Sequence, residues 1–349
     1  MEQKREEVPL PEGTFTVGII YNLKKNNNSQ IEDIDAEYDG IETVNVIKEV
    51  FEKNSLQVKL FEADENLSES LKRDPIDFAF NIAEGKNGRG REAQVPALLT
   101  MLGIPFSGSD ETTLCIALDK ALAKRLLTTY KVKSPKSAVI SENGKISVRG
   151  LKYPLIIKPN AEGSSKGISD VSIVNSTAEF KELVKLKIDT YKEDMLAEEY
   201  IEGREFTVGI VGNGKETHVF LPMEIKFRKP TQGKFSVYSF NVKKNYKEYV
   251  DYACPSDIDQ TIQNDMMKIS EKIYKSLNCR DFSRIDYRVD KNGEIYFIEI
   301  NPLPGLAPGY SDFPMLAQFN GIDYDTLIMN VLLSGVNRCG LNINIRGGE

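Results

Sequence analysis

The sequence predicts an α/β segment followed by an α+β region built on antiparallel strands, and three observations carry that reading. Strand-like and helix-like runs alternate through the first third, the order expected of parallel βαβ units. Beyond about residue 118 the strand-like runs come in pairs separated by turn signals. Near the end, Asn292-Gly293 sits between two apolar runs, the signature of a hairpin.

Taken in order, "FTVGIIYN" is a strand, residues 39–52 are helical by period, "VKLFEA" and "DFAFNIAEG" are strands, and "EAQVPALLTMLG" closes the α/β segment as a helix. Loops at the carboxyl ends of such strands carry binding sites. The polar connection "LKKNNNSQIEDIDAEYDG" is long enough to be one. A second unit starts near Leu118, where "LDKALAKRLLTTY" reads as a helix. Two strands then flank a Gly/Ser-rich loop in "YPLIIKPNAEGSSKGISDVSIV". "MLAEEYIEGREFTVGIVGNG" gives a strand, a tight turn and a strand, and "IDQTIQNDMMKISEKIYKSL" is an amphipathic helix.

Composition narrows the function. The 349 residues are 40% hydrophobic with net charge -7 from well-mixed acids and bases, so there is no basic footprint for nucleic acid. Cys115, Cys254, Cys279 and Cys339 lack CxxC spacing, and His218 is the sole histidine. These counts argue against a zinc site, a disulfide scaffold and a His-based triad. The charged start "MEQKREEVPLPEG" and the absence of an apolar stretch of bilayer length give a cytoplasmic expectation, with no membrane partner.

The apolar run "YFIEINPLPG" carries an acid, Glu299, and an amide, Asn301. A two-residue turn at Asn292-Gly293 pairs Lys291 with Glu294. Counting back, it sets Asp286 opposite Glu299 and Arg284 opposite Asn301. Directly opposed side chains lie roughly 5 Å apart. Like charges that close call for a cation or a shared proton. An all-oxygen set suits magnesium or manganese better than zinc. A solvated acidic face and the carboxylate pair of a retaining glycosidase are alternatives at this point.

Other stretches suit a nucleotide. Lys158 ends a strand before Gly163, Ser164, Ser165 and Gly167, whose amides and hydroxyls could donate to phosphate oxygens. Glu198 and Glu205 flank a turn at Gly203 and offer acceptors to an adenine amine and a ribose. Lys120 opens a helix as a further cation.

In this order the stretches "EGKNGRGREAQVPALLTMLGIPFSGSD", "DKALAKRLL", "IIKPNAEGSSKGIS", "AEEYIEGREFTVGI", "SRIDYRVDKNGEIYFIEINPLPGL" and "FPMLAQFNGIDYDTLI" resemble the ATP-grasp superfamily, most closely the D-alanyl-D-alanine ligases. The resemblance implies an N-terminal α/β domain over residues 1–117, a central ATP-grasp subdomain over 118–205 and a C-terminal one over 206–349, with ATP held between the antiparallel sheets. It implies that Lys120, Lys158 and Lys243 contact phosphates. Ser164 and Ser165 close over them, and Glu198, Glu199, Ile201 and Glu205 hold adenine and ribose. Two magnesium ions would sit on Asp286, Glu299 and Asn301. Arg284 and the Gly305 amide, with Ser164 as a further catalytic residue, would serve the reacting centre. The implied reaction joins two amino acids through an acyl phosphate, and a role in peptidoglycan synthesis and a homodimeric state come with it.

The departures lie at the substrate end. In place of the family's Gly-Gly-x-Ser-x-Glu turn stands "IIYNLKKNNNSQIEDIDAEYDG", where Glu37 would substitute for the glutamate. Glu84 replaces a common histidine, Lys244 a frequent tyrosine, and Asp312, beside Ser311, an apolar residue. Glu37, Glu84, Ser311 and Asp312 are thus the expected substrate residues. The chain is either a divergent D-alanyl-D-alanine ligase or a relative joining other amino acids, one with an extra positive charge for Glu84 or Asp312 to pair. A nucleotide-binding protein without catalysis is the remaining alternative.

Overall fold

A computed structural model describes residues 14–24, 38–141, 147–163, 172–233 and 235–343. Glu37, Ser164 and Ser165 therefore lie outside the described residues. Three sheets organise the rest. The first is parallel, with β1 (Thr16–Tyr21) between β2 (Gln57–Glu62) and β3 (Phe78–Asn81). Its central position explains why every residue of "TVGIIY" is buried, since both faces and both edges are covered. The helix Ile41–Lys53 follows β1 and buries Thr43, Val44, Ile47, Val50 and Phe51 along one face.

The second sheet has order β4-β7-β5-β6, from β4 (Ser137–Ile140), β5 (Leu155–Pro159), β6 (Ile173–Val174) and β7 (Met195–Glu199). The third runs β11-β10-β8-β12-β13, with β9 added to β8. Its strands are β8 (Gly203–Val211), β9 (His218–Val219), β10 (Met223–Phe227), β11 (Val250–Ala253), β12 (Phe282–Asp290) and β13 (Ile295–Asn301). All pairings in these two sheets are antiparallel. Only Tyr200–Glu202 separates β7 from β8, so the chain passes from one sheet to the other in a single short step. Gly203 makes that step feasible: a Cβ there would come within 2.1 Å of the Val289 carbonyl oxygen.

The C-terminal helix Tyr324–Arg338 turns back onto the first sheet. Its Leu327, Ile328, Val331, Leu332 and Val336 share one core with Val17, Ile19 and Phe51, each worth about 1.5–3 kcal/mol of burial. Asp281, fully buried, fastens this junction. It accepts from the Gly108 amide at 2.7 Å, from Asn213 Nδ2 at 2.7 Å and from Arg338 Nε at 2.9 Å. All four cysteines are free thiols. Among the described residues no helix is long and apolar enough to cross a membrane.

Candidate active site

The hairpin places its carboxylates as expected but by a different route. Asp290 faces Glu294, with Gly293 N donating to Asp290 O at 3.0 Å and Gly293 at φ +82°. The connection is therefore Lys291-Asn292-Gly293, a three-residue loop with glycine in the left-handed position, in place of the predicted two-residue turn. That shifts the register by one residue, and Val289, Arg288 and Tyr287 face Ile295, Tyr296 and Phe297. A β-bulge at Ile298 then restores it, so Asp286 faces Glu299 and Arg284 faces Asn301. Without the bulge, Asp286 would face Ile298. Bulges cluster beside active sites because they re-aim side chains in this way.

Arg284 Nε and Nη2 donate to the Asp286 carboxylate at 3.1 and 3.0 Å. On the other strand Lys120 Nζ stands 3.6 Å from Glu299 Oε2. Burial would raise the Glu299 pKa, but Lys120, Lys158, Arg284 and Lys124 outweigh it and bring the group to about 2. Asp286 moves upward, from burial and from Glu299, against the pull of Arg284. Two carboxylates and the Asn301 amide oxygen thus converge beside cations. They form an oxygen-only donor set that fits a hard divalent ion. No group of three or more His, Cys, Asp or Glu side chains suited to a metal occurs among the described residues, so a metal here would draw further oxygens from its ligand.

The lysines are held by a small polar joint. Asp119 caps the helix Lys120–Thr129 by accepting from Leu122 N at 2.9 Å, and it also accepts from Asn160 Nδ2 at 2.8 Å. Asn160 returns the contact, its backbone oxygen accepting from Lys120 N at 3.0 Å. The helix start is thereby fastened two residues past Lys158, at the end of β5. Lys120 Nζ also donates to the Glu162 carbonyl. Glu198, expected at adenine, lies between two ammonium groups: Lys124 Nζ is 2.8 Å from its Oε1 and Lys158 Nζ 2.8 Å from its Oε2.

Farther along the cleft, Glu205 and Arg288 are opposed on β8 and β12 and pair at 2.7 Å. Arg288 also donates to the Ile201 carbonyl at 2.9 Å and lies over the Tyr200 ring, 4.7 Å from its centroid. Glu199 also lines this cleft, its carboxylate accepting from Lys152 N at 2.9 Å. Burial raises the Glu205 pKa against the attraction of Arg288. Lys158, Glu198, Ile201, Glu205, Asp286 and Glu299 line one cleft between the two antiparallel sheets.

Lys243, in the short helix Phe240–Lys244, lines that cleft together with Arg284. Both also line a second cleft with Glu84, Asn301, Gly305 and Ser311. Burial pushes the Lys243 ammonium down while Asp312 pulls it up. Gly305 packs so closely on Ser311 that a Cβ would meet its Oγ at 2.8 Å. Asp312 departs from expectation. Its side chain is only 3% exposed, accepts from Tyr238 and Tyr252 at 3.1 and 3.3 Å, and lies 3.6 Å from Arg284 Nη1. Internal donors satisfy it, so it is not the open carboxylate that a cationic substrate would need. Lys244 is exposed.

The second cleft also contains residues the sequence did not single out: Lys24, Tyr38, Asp39 and Tyr310. A bridge between Leu23 and Asp39 holds Lys24 and Asp39 together, with Lys24 N donating to Asp39 O at 3.0 Å. Burial raises the Asp39 pKa to about 6, against Lys24, Thr43 and Lys243. Asp39 precedes the helix Ile41–Lys53 by two residues. An acid at such a point reads as an ordinary helix start, so only the fold reveals it.

Two antiparallel sheets closing on a cleft with lysines at one end and opposed carboxylates at the turn into a second cleft define an ATP-grasp ligase. The family model described as "D-ala D-ala ligase C-terminus" matches residues 129–333, more than half of the chain, which belongs to that family. It is 31% identical over 293 residues to the D-alanine--D-alanine ligase of Carboxydothermus hydrogenoformans, covering 81% of this chain and 89% of that one. It is 32% identical over 283 residues to the uncharacterized protein y4sG of Sinorhizobium fredii, covering 78% and 81%. The crystal structure of D-alanine--D-alanine ligase from Bacillus anthracis complexed with ATP shares the fold. Its TM-score is 0.73 at 23% identity, over 93% of this chain and 98% of that one. The chain is thus a ligase of the C–N bond-forming class, and the glycosidase alternative is set aside.

Proposed function

We propose that this protein uses Mg-ATP to join two amino acids, with D-alanine as the first candidate for both, as in the ligases it resembles. The observation that carries the reading is that Arg284 and Lys243 line both clefts and so stand at their junction. A phosphoryl group passing between a nucleotide and an amino acid needs cations at that place.

Asp286, Glu299 and Asn301 hold magnesium, which when bound offsets charge on the transferring phosphoryl group. The backbone of Glu199–Ile201 meets adenine, Glu205 the ribose, and Lys120 and Lys158 the phosphates. A carboxylate oxygen of the first amino acid attacks the γ-phosphorus, the bond to the ADP oxygen breaks, and an acyl phosphate forms. The amine of the second amino acid then attacks the acyl carbon and phosphate leaves. Arg284 and the Gly305 amide stabilise the oxyanion of that tetrahedral intermediate. Asp39 receives the ammonium of the first amino acid, a part the expected Glu37 was to play. The Ser311 hydroxyl donates to a substrate carboxylate.

A second reading, ligation of other amino acids, is favoured by Lys24, Asp39 and Glu84 in the substrate cleft, more charge than an alanine side chain requires. ADP release measured against a panel of D- and L-amino acids separates the two. Full turnover with D-alanine alone supports the first. Turnover only with a charged partner supports the second, and no ADP with any amino acid refutes both.

A further inference from the structure

The triad Lys124, Glu198 and Lys158 has two ammonium groups on one carboxylate, and all three side chains are 4% exposed or less. Burying a second cation is costly unless it does something a carbon chain could not. Lys158 and Glu198 line the nucleotide cleft, whereas Lys124 lies behind Glu198 and is not among the lining residues. Lys124 Nζ also donates to the Phe297 carbonyl at 3.4 Å, at the foot of the bulge, and lies 5.5 Å from the centroid of the Phe297 ring.

We propose that Lys124 is a positioning residue that neutralises Glu198, so that Glu198 does not cancel the charge Lys158 offers to a phosphate of the nucleotide. With one lysine, Glu198 and Lys158 would form a closed, neutral pair, and a phosphate would have to compete with Glu198 for the ammonium. With two, the triad carries one net positive charge in a water-poor setting, where it acts strongly. Glu198 then serves as the rigid anion between the lysines, fixing the position of Lys158 Nζ at the cleft wall. Glu198 is held ionised, since Lys124 and Lys158 outweigh the effect of its burial. The inference rests on the ATP reading of the cleft, though not on which amino acids are joined.

Charge rescue tests it. ATP affinity is measured by calorimetry, with magnesium present, on the full chain and on K124M and K124M/E198Q, with melting temperature as the control for folding. K124M should weaken ATP binding about tenfold, the loss of roughly one charge-assisted contact. K124M/E198Q, which restores the single net charge on Lys158, should return to within about threefold of the original. A merely structural lysine would lower the melting temperature, leave ATP affinity in place, and be harmed further by the second substitution. Unchanged affinity in K124M, or a double variant no better than K124M, overturns the proposal. Should K124M not fold, the double variant against the original decides alone: matched affinity supports the proposal and a tenfold loss overturns it. A chain that binds ATP but forms no dipeptide removes the ligase reading and leaves this test intact. One that binds no ATP removes both.

Discussion

The two clefts that meet at Arg284 and Lys243 are built in opposite ways. The nucleotide cleft is assembled largely from residues on paired strands: Glu205 against Arg288, Asp286 against Glu299 beside the bulge, and Glu198 of β7 between Lys158 of β5 and Lys124 of the helix Lys120–Thr129. The second cleft is assembled from strand ends and connections: Lys24 and Asp39 beside β1, Glu84 after β3, Gly305 and Ser311 after β13. One end has Glu198, Glu205, Asp286 and Glu299 each paired to a cation within the protein, so it can be rigid before a ligand arrives. The other holds groups such as Asp39, whose burial Lys24, Thr43 and Lys243 offset only in part. Chemistry shared by many proteins sits on the common fold, and on the proposed reading the choice of amino acid is made by the connections.

Substitutions should sort along this divide. The largest effect belongs to the opposed carboxylates: Asp286→Asn or Glu299→Gln should lower ADP release about 10³-fold, several kcal/mol of lost charge stabilisation. Retention of activity within tenfold would remove the metal role of the hairpin. Next is Arg284→Met, which should cost about 10²–10³ in kcat by loss of an oxyanion partner. Its effect should appear for every amino acid pair that turns over.

Asp39 sharpens the comparison through pH. Its folded pKa, about 6, lies above the ordinary 3.8 of an aspartate, so the substrate-free protein binds the extra proton between these values. The stability from this group is complete below about 4 and is lost as pH rises through about 6. Asp39→Asn should therefore stabilise the substrate-free protein at neutral pH by about 1–3 kcal/mol. The same change should damage catalysis, since an ammonium needs the ionised form. In the unmodified protein kcat/KM for the first amino acid should fall as pH drops below about 6, and the variant should lack that limb. A limb that persists in the variant would assign it to another group. The smallest effect is expected at the hairpin tip, where Lys133 and Glu294 pair at 2.7 Å in solvent. Glu294→Gln should change stability by less than about 1 kcal/mol, by denaturant titration.

The same divide explains what could be read from the amino-acid order. Period-two alternation with a glycine turn is local, so the facing of Asp286 and Glu299 was legible, even though the turn and the bulge each differed by one residue and cancelled. Lys124 was within reach, being one helical turn from Lys120. Asp312 looked open because its partners Tyr238 and Tyr252 are 60 or more residues away and reach it only through the third sheet. Asp39 and Lys24 depend on a single bridge, which leaves no periodic trace. The return of the helix Tyr324–Arg338 to the first sheet is likewise a long-range event, with no local signal for where its apolar face goes.

The most direct test follows an atom. The first amino acid is supplied with a heavy-oxygen label in its carboxylate, together with Mg-ATP and the second amino acid, and the released phosphate is examined by mass spectrometry. Attack by that carboxylate on the γ-phosphorus predicts one labelled oxygen in each phosphate, and none in the variant Asp286→Asn. Dipeptide formed with unlabelled phosphate would contradict the account.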